Sequence, residues 1–297
     1  MGRIVVIGEC MVEFSPNAAG DYRLGFAGDT FNTAWYLRHL MPANWAIQYF
    51  TNIGNDKLSA DMLEFMLQSG IDTAHVKTNA GANAGLYVIS LDKGERSFSY
   101  WRSASAARHL ADDSGRLIKA ISGADCVFFS GITLAILPEA GRQTLLAVLK
   151  QFRSLGVQIV FDPNYRPRLW PEQQDARDWM RQAYAVSTLV LPSYADELEL
   201  FGDASLEVTA ARIAQLGVSE IIIKNGDAAA LVRSGNGQNF IPPQISITPV
   251  DTTGAGDSFN AGYLSKRLLG VAPEISAEFA HHIAAKVVSG YGALVQF

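Results

Sequence analysis

The segment CVFFSGITLAILPEAGRQTLLAVLKQFRSLGVQIVFD (126–162) carries strand, helix and strand in succession. CVFFSG (126–131) and VQIVFD (157–162) are short continuous apolar runs, the pattern of strands buried on both faces. Between them, PEAGRQTLLAVLKQFRSLG (138–156) repeats Leu145, Leu149 and Phe152 at helical spacing and stops at Gly156, which suits a helix C-cap. Parallel strands joined through a helix make a right-handed crossover. Outward from this unit, TLVLP (188–192) and EIIIK (220–224) read as strands, and EQQDARDWMRQAYA (172–185) and SLEVTAARIAQLG (205–217) as helices. From residue 110 onward the chain is expected to alternate strand and helix, giving an α/β fold with a parallel sheet and helices on both faces. Ligands in such folds sit beyond the carboxyl ends of the strands.

Two earlier segments break the rhythm. MVEFSPNAAGDYRLGF (11–26) has strand-like pieces around a Pro/Asn/Gly turn, and AGLYVISLDKGERSFSYWR (84–102) reads as a hairpin around the turn DKGE (92–95). Neither hairpin arm leads into a helix, so this unit is expected to stand outside the parallel sheet, in a small antiparallel sheet that covers the site as a lid. No repeat, low-complexity tract or linker divides the chain. A single domain over 1–297 is expected, with the lid formed by about 11–26 and 84–102.

The 297 residues are 48% hydrophobic and 18% charged, which describes a chain that buries a large core. Net charge is −5 and Lys/Arg-rich runs are absent, which argues against a nucleic-acid or anionic-membrane surface. RIVVIG (3–8) enters a strand with no leader pattern, and no apolar run approaches the roughly 20 residues of a membrane span. Cys10 and Cys126 fit no metal spacing and read as reduced packing residues of a cytoplasmic protein. His281–His282, on an expected helix, reads as a surface or packing feature.

The chemistry concentrates in DTTGAGDSFNAG (251–262), which leads into the helix NAGYLSKRLL (260–269). Gly254 and Gly256 before a helix let backbone N–H groups converge on an anion, and the helix dipole adds positive potential there. Asp257 at that terminus is placed to accept a hydroxyl proton while the amides of residues 254–257 stabilise a transferring phosphoryl group. An isolated Gly-x-Gly would be only a tight turn; the ten-residue run from Val250 to Phe259 is far more specific.

That run resembles the C-terminal signature of the PfkB (ribokinase-like) sugar kinases, and AGDTFNTAWYLRHL (27–40) resembles their N-terminal one. The resemblance covers essentially the whole chain. Within the family it is strongest to 2-keto-3-deoxygluconate kinases, through GECMVEFS (8–15), GFAGDTFNTA (25–34), FSYWRSASAA (98–107), SGITLAIL (130–137) and FDPNYRPRLW (161–170). It implies a ribokinase-like kinase that uses ATP and Mg²⁺ to convert 2-keto-3-deoxygluconate to its 6-phosphate, with a monovalent cation left open.

Carried over by residue, the resemblance implies that Gly254, Ala255, Gly256 and Asp257 are catalytic. Gly28, Asp29, Asn32, Tyr87, Tyr100, Arg102, Arg166 and Asp257 would contact the sugar acid. Asn164, Arg166, Ser193, Lys224, Gly226, Gly254 and Gly256 would contact the nucleotide. Ser193 and Asp196 stand where the family usually has the Asn and Glu of Asn-x-x-Glu, so Asp196 is a candidate to reach the metal through water; the metal ligands themselves stay unassigned. No substrate contact is carried over from GYGALVQF (290–297). Guanidinium groups bind carboxylates through parallel hydrogen bonds, which fits Arg102 and Arg166 to a sugar acid. Competing readings are a solvated lid arginine at Arg102, a loop-shaping ion pair at Arg166, and lid packing at Tyr87 and Tyr100. For the whole chain they are a fructokinase or ribokinase-type kinase of a neutral sugar, and a catalytically silent sugar sensor. The open edges of a lid sheet suggest a homo-oligomer formed through the lid.

Overall fold

A computed structural model describes residues 2–16, 21–92, 95–235, 237–243 and 248–296. The strands among them are β1 (Gly2–Ile7), β2 (Met11–Pro16), β3 (Tyr22–Ala27), β4 (Trp45–Ile53), β5 (Asp72–Thr78), β6 (Gly85–Asp92) and β7 (Glu95–Trp101). They continue with β8 (Cys126–Ser130), β9 (Gln158–Asp162), β10 (Leu189–Val190), β11 (Glu220–Ile223), β12 (Ala230–Ser234) and β13 (Gly237–Ile241). Nine of them form one sheet in the order β13-β12-β11-β10-β9-β8-β1-β4-β5, parallel from β11 to β5. The fold is therefore α/β, with a large, mostly parallel sheet.

Alternation along the strands builds a core on each face. From β8, Val127 and Phe129 turn to one core and Cys126 and Phe128 to the other. The first core takes Leu145, Leu149 and Phe152 from the helix Glu139–Ser154, together with the helices Ser114–Ile121, Gln173–Val186 and Leu206–Ala214. The second is closed by Asp29–Leu40, Lys57–Gln68, Ala255–Arg267 and Pro273–Val288. Gly156, at φ 90°, follows the end of its helix in the left-handed conformation that favours glycine. Both cysteines are free and buried.

The alternation expected from residue 110 is interrupted. β11, β12 and β13 follow one another without a helix and run antiparallel at the sheet edge. β13 is exposed along four of its five residues, so it lacks the continuous apolar run that marks a buried strand. TLVLP contributes only the two residues of β10. Next to it the Thr188 N–H and hydroxyl both donate to the Ile159 carbonyl, and Pro192 has no N–H to extend the ladder.

A second sheet has the order β3-β2-β6-β7. It corrects the expectation of an antiparallel sheet: β2 pairs with β3, and β6 with β7, in antiparallel fashion, but β2 and β6 are parallel. The long excursion through β3, β4 and β5 brings the chain back in the same direction. Residues 17–20 and 93–94, on which the two turn expectations fall, lie outside the described residues. No helix among the described residues is long and apolar enough to cross a membrane.

Candidate active site

The carboxyl ends of the parallel strands and one side of the second sheet enclose a cleft of about 1260 Å³. Its floor begins at the Ala255–Arg267 helix. Gly254 opens that helix at φ 77°, and a methyl group there would lie 2.6 Å from the Ala293 carbonyl oxygen. Only glycine meets both conditions. No side chain caps the helix, and Ala255 N–H donates to the Thr252 carbonyl at 3.2 Å. Of the amides expected to face an anion, that of Ala255 is thereby engaged, while those of Gly254, Gly256 and Asp257 lie at the helix start, where no intrahelical carbonyl is available to them.

Asp257 is the third residue of that helix and half-buried. Asn32 Nδ2 donates to its Oδ2 at 2.7 Å. Loss of hydration in the cleft, then the negative charge of Asp29, push its carboxyl up to about 8, against the Asn32 hydrogen bond and the Lys224 ammonium. Asp29 is also raised, by burial, although Ser130 and Asn164 bond to it; Asn164 Nδ2 donates to Asp29 Oδ2 at 3.0 Å. Asn164 itself sits at φ 35°, a left-handed conformation that asparagine tolerates better than most residues. Gly28 packs so tightly on the chain at Glu9 that a methyl group would lie 2.3 Å from the Glu9 carbonyl oxygen.

Lys224, just past β11, donates to Asp162 Oδ2 at 2.9 Å and to Asn260 Oδ1 at 3.0 Å. Asn260 in turn donates to Asp162 Oδ2 at 2.6 Å. These two buried partners fix the ammonium close to Gly256, whose α-carbon would carry a methyl group 3.7 Å from Nζ. Gly226 turns the following loop at φ 59°. Ser193 occupies the N-cap position of the helix Tyr194–Phe201 but makes no side-chain cap bond, which leaves its hydroxyl free at the cleft wall. Asp196 is raised by burial and partly held down by Arg166, 3.9 Å away. Arg166 is half-exposed at the rim and donates to the Tyr165 carbonyl.

The second sheet supplies Tyr87, Tyr100 and Arg102. Tyr87 is buried and donates to Glu13, whereas Tyr100 is 49% exposed and tilts against Tyr87 at 5.8 Å. Arg102 is not a solvated arginine: its side chain is 10% exposed and ion-paired with Glu9, which is 1% exposed. All the candidate site residues thus line this one cleft.

Glu9, Asp162, Asn260 and Ala293 escaped the sequence reading. Glu9 and Asp162 had a visible signal, since each is a carboxylate at the carboxyl end of an apolar strand, where ligands bind. Ala293 had none. It joins the site because its carbonyl accepts from Tyr36 at 2.8 Å and abuts Gly254. His281 is a packing residue on Phe259 as expected, but it also borders the cleft. Among the described residues no group of three or more His, Cys, Asp or Glu is placed to hold a metal ion. Magnesium bound mainly by phosphate and water needs few protein ligands, so Asp196 alone is compatible with it.

Comparison with known proteins agrees with this geometry. Residues 1–296 match the model of the pfkB family carbohydrate kinases. The 2-dehydro-3-deoxygluconokinase of Escherichia coli (strain K12) is 36% identical over 99% of this chain and 97% of its own. That of Dickeya dadantii is 37% identical over 98% and 96%. The solved 2-dehydro-3-deoxygluconokinase of Thermotoga maritima superposes with a TM-score of 0.88 over 100% of this chain and 97% of its own, at 21% identity, and so speaks to the fold. With a full-length family match and a glycine-bounded helix terminus facing its aspartate, the chain belongs to the pfkB family of carbohydrate kinases and is an ATP-dependent sugar kinase.

Proposed function

We propose that the protein phosphorylates 2-keto-3-deoxygluconate on its 6-hydroxyl with ATP, in the cytoplasm. The observation that carries the substrate is the pair of arginines, Arg102 and Arg166, at one cleft that also holds Asp257. The names of relatives 36–37% identical over nearly the whole chain support it.

In this reading the sugar acid lies against Gly28, Asp29 and Asn32, with Tyr100 and Arg102 above and Arg166 at the rim. Asp257 accepts the proton of the attacking hydroxyl, and Asn32 holds its carboxylate in line. The Gly256 and Asp257 amides and Lys224 surround the position of the transferring phosphoryl group. Magnesium supplies charge neutralisation of the nucleotide phosphates when bound, and Asp196 is the residue suited to hold it through water. Asn164, Ser193 and Gly226 complete the nucleotide side. The second sheet acts as the lid of a single domain. Its exposed Tyr22, Leu24 and Trp101 favour a homo-oligomer through that sheet.

Incubation with ATP, Mg²⁺ and 2-keto-3-deoxygluconate, followed by ³¹P and ¹H NMR of the product, tests the reaction. A phosphate ester at the 6-position is expected. ADP formed without a sugar phosphate, or an ester at another hydroxyl, would refute it.

A further inference from the structure

We infer that Glu9 is a positioning residue for substrate selection: it holds the Arg102 guanidinium against the cleft wall and through it sets affinity for the sugar acid. The inference rests on the reading of Arg102 as a substrate contact. Glu9 lies just past β1, at the carboxyl end of the central sheet, and Arg102 just past β7, at the root of the second sheet. Their contact ties the two sheets together at the cleft.

The pair is incompletely satisfied. Glu9 Oε2 accepts from Arg102 Nη2, yet Glu9 Oε1 and Arg102 Nε are buried with no partner. A purely structural ion pair would gain by using those bonds, because unpaired buried polar atoms are costly. What this arrangement secures is one orientation of the guanidinium. An Arg102 rotamer that left Glu9 would strand a carboxylate that is almost wholly buried, so the arginine is held ready before substrate arrives. The surroundings keep the pair in place. A methyl group on Gly85 would come within 2.6 Å of Glu9 Oε1 and 3.3 Å of Arg102 Cβ, so only glycine leaves room. Gly28 packs on the Glu9 carbonyl and leads into the helix that carries Asp29 and Asn32. Glu9 thus meets the substrate-facing turn, the root of the second sheet and Arg102 at one point.

The test is a double-mutant cycle read as KM and kcat with 2-keto-3-deoxygluconate and ATP. Glu9→Gln is expected to raise KM for the sugar acid about ten-fold, within the span of couplings between contacting residues, with kcat and the KM for ATP changed less than about two-fold. Arg102→Met should raise the same KM, and Glu9→Gln should add little in its background. Arg102→Met alone strips Glu9 of its counter-ion and can fail to fold. The double variant Glu9→Gln/Arg102→Met removes both charges and supplies the arginine-free reference, and Glu9→Asp, which keeps the charge, should fall between wild type and Glu9→Gln. An unchanged or lowered KM in Glu9→Gln, or a full additional loss in the arginine-free background, would overturn the inference. A wild-type KM in the double variant would remove Arg102 itself from substrate binding, and the role of Glu9 with it.

Discussion

Asp257 combines a half-buried carboxylate, a neighbouring Asp29 and a helix N-terminus. Replacing it by Asn should leave the fold intact and lower kcat by about 10²–10⁴-fold, the usual contribution of a general base. Steady-state turnover of a folded variant checks this; wild-type turnover would exclude the role. Its pH behaviour has a definite sign. A carboxyl raised to about 8 in the folded protein is protonated at neutral pH more than an ordinary aspartate, so kcat/KM should rise as pH increases toward 8. Stability moves the other way. The folded state binds the proton more tightly than the unfolded chain, so ionising Asp257 destabilises the fold increasingly from about pH 4 to 8. Asp257→Asn should therefore gain Tm over wild type, by a margin that widens between pH 5 and 8; a constant margin would contradict the assigned shift. Gly254→Ala meets both a left-handed φ and the Ala293 carbonyl. It should cost at least about 1–2 kcal/mol and weaken ATP, measured by denaturation and by KM.

At the scale of elements, the second sheet joins the central one through Glu9–Arg102 and covers the cleft with Tyr87 and Tyr100. If it closes on bound sugar acid, saturating substrate should slow hydrogen exchange in β6 and β7. Unchanged exchange there would make the sheet a fixed wall. The elements legible in the sequence were those whose burial is continuous or strictly periodic, such as β8, β9 and the helix Glu139–Ser154. The hairpin β12–β13 was not, because its outer strand is mostly exposed. The parallel pairing of β2 with β6 joins segments about 70 residues apart, which no local pattern encodes. In the site, Gly254 and Asp257 were legible because a helix terminus is a local motif. The ion pair that buries Arg102 was not, because Glu9 approaches from another sheet across 93 positions.

Across the whole molecule, the two cores and the parallel sheet form a frame whose strand ends present Glu9, Asp162, Ser193 and Lys224 to one cleft. The frame is that of a whole family of carbohydrate kinases, so it does not by itself select one sugar. Selection must therefore come from the side chains that line the cleft. A guanidinium bonded to a substrate carboxylate contributes about 1.5–3 kcal/mol, which is roughly a ten- to hundred-fold preference over a neutral sugar. The most direct measurement is kcat/KM for ATP-dependent phosphorylation of 2-keto-3-deoxygluconate, fructose, ribose and gluconate by the wild-type protein. The expected result is a preference for 2-keto-3-deoxygluconate over fructose and ribose of at least about ten-fold; a preference for fructose or ribose would contradict the assignment of the sugar acid.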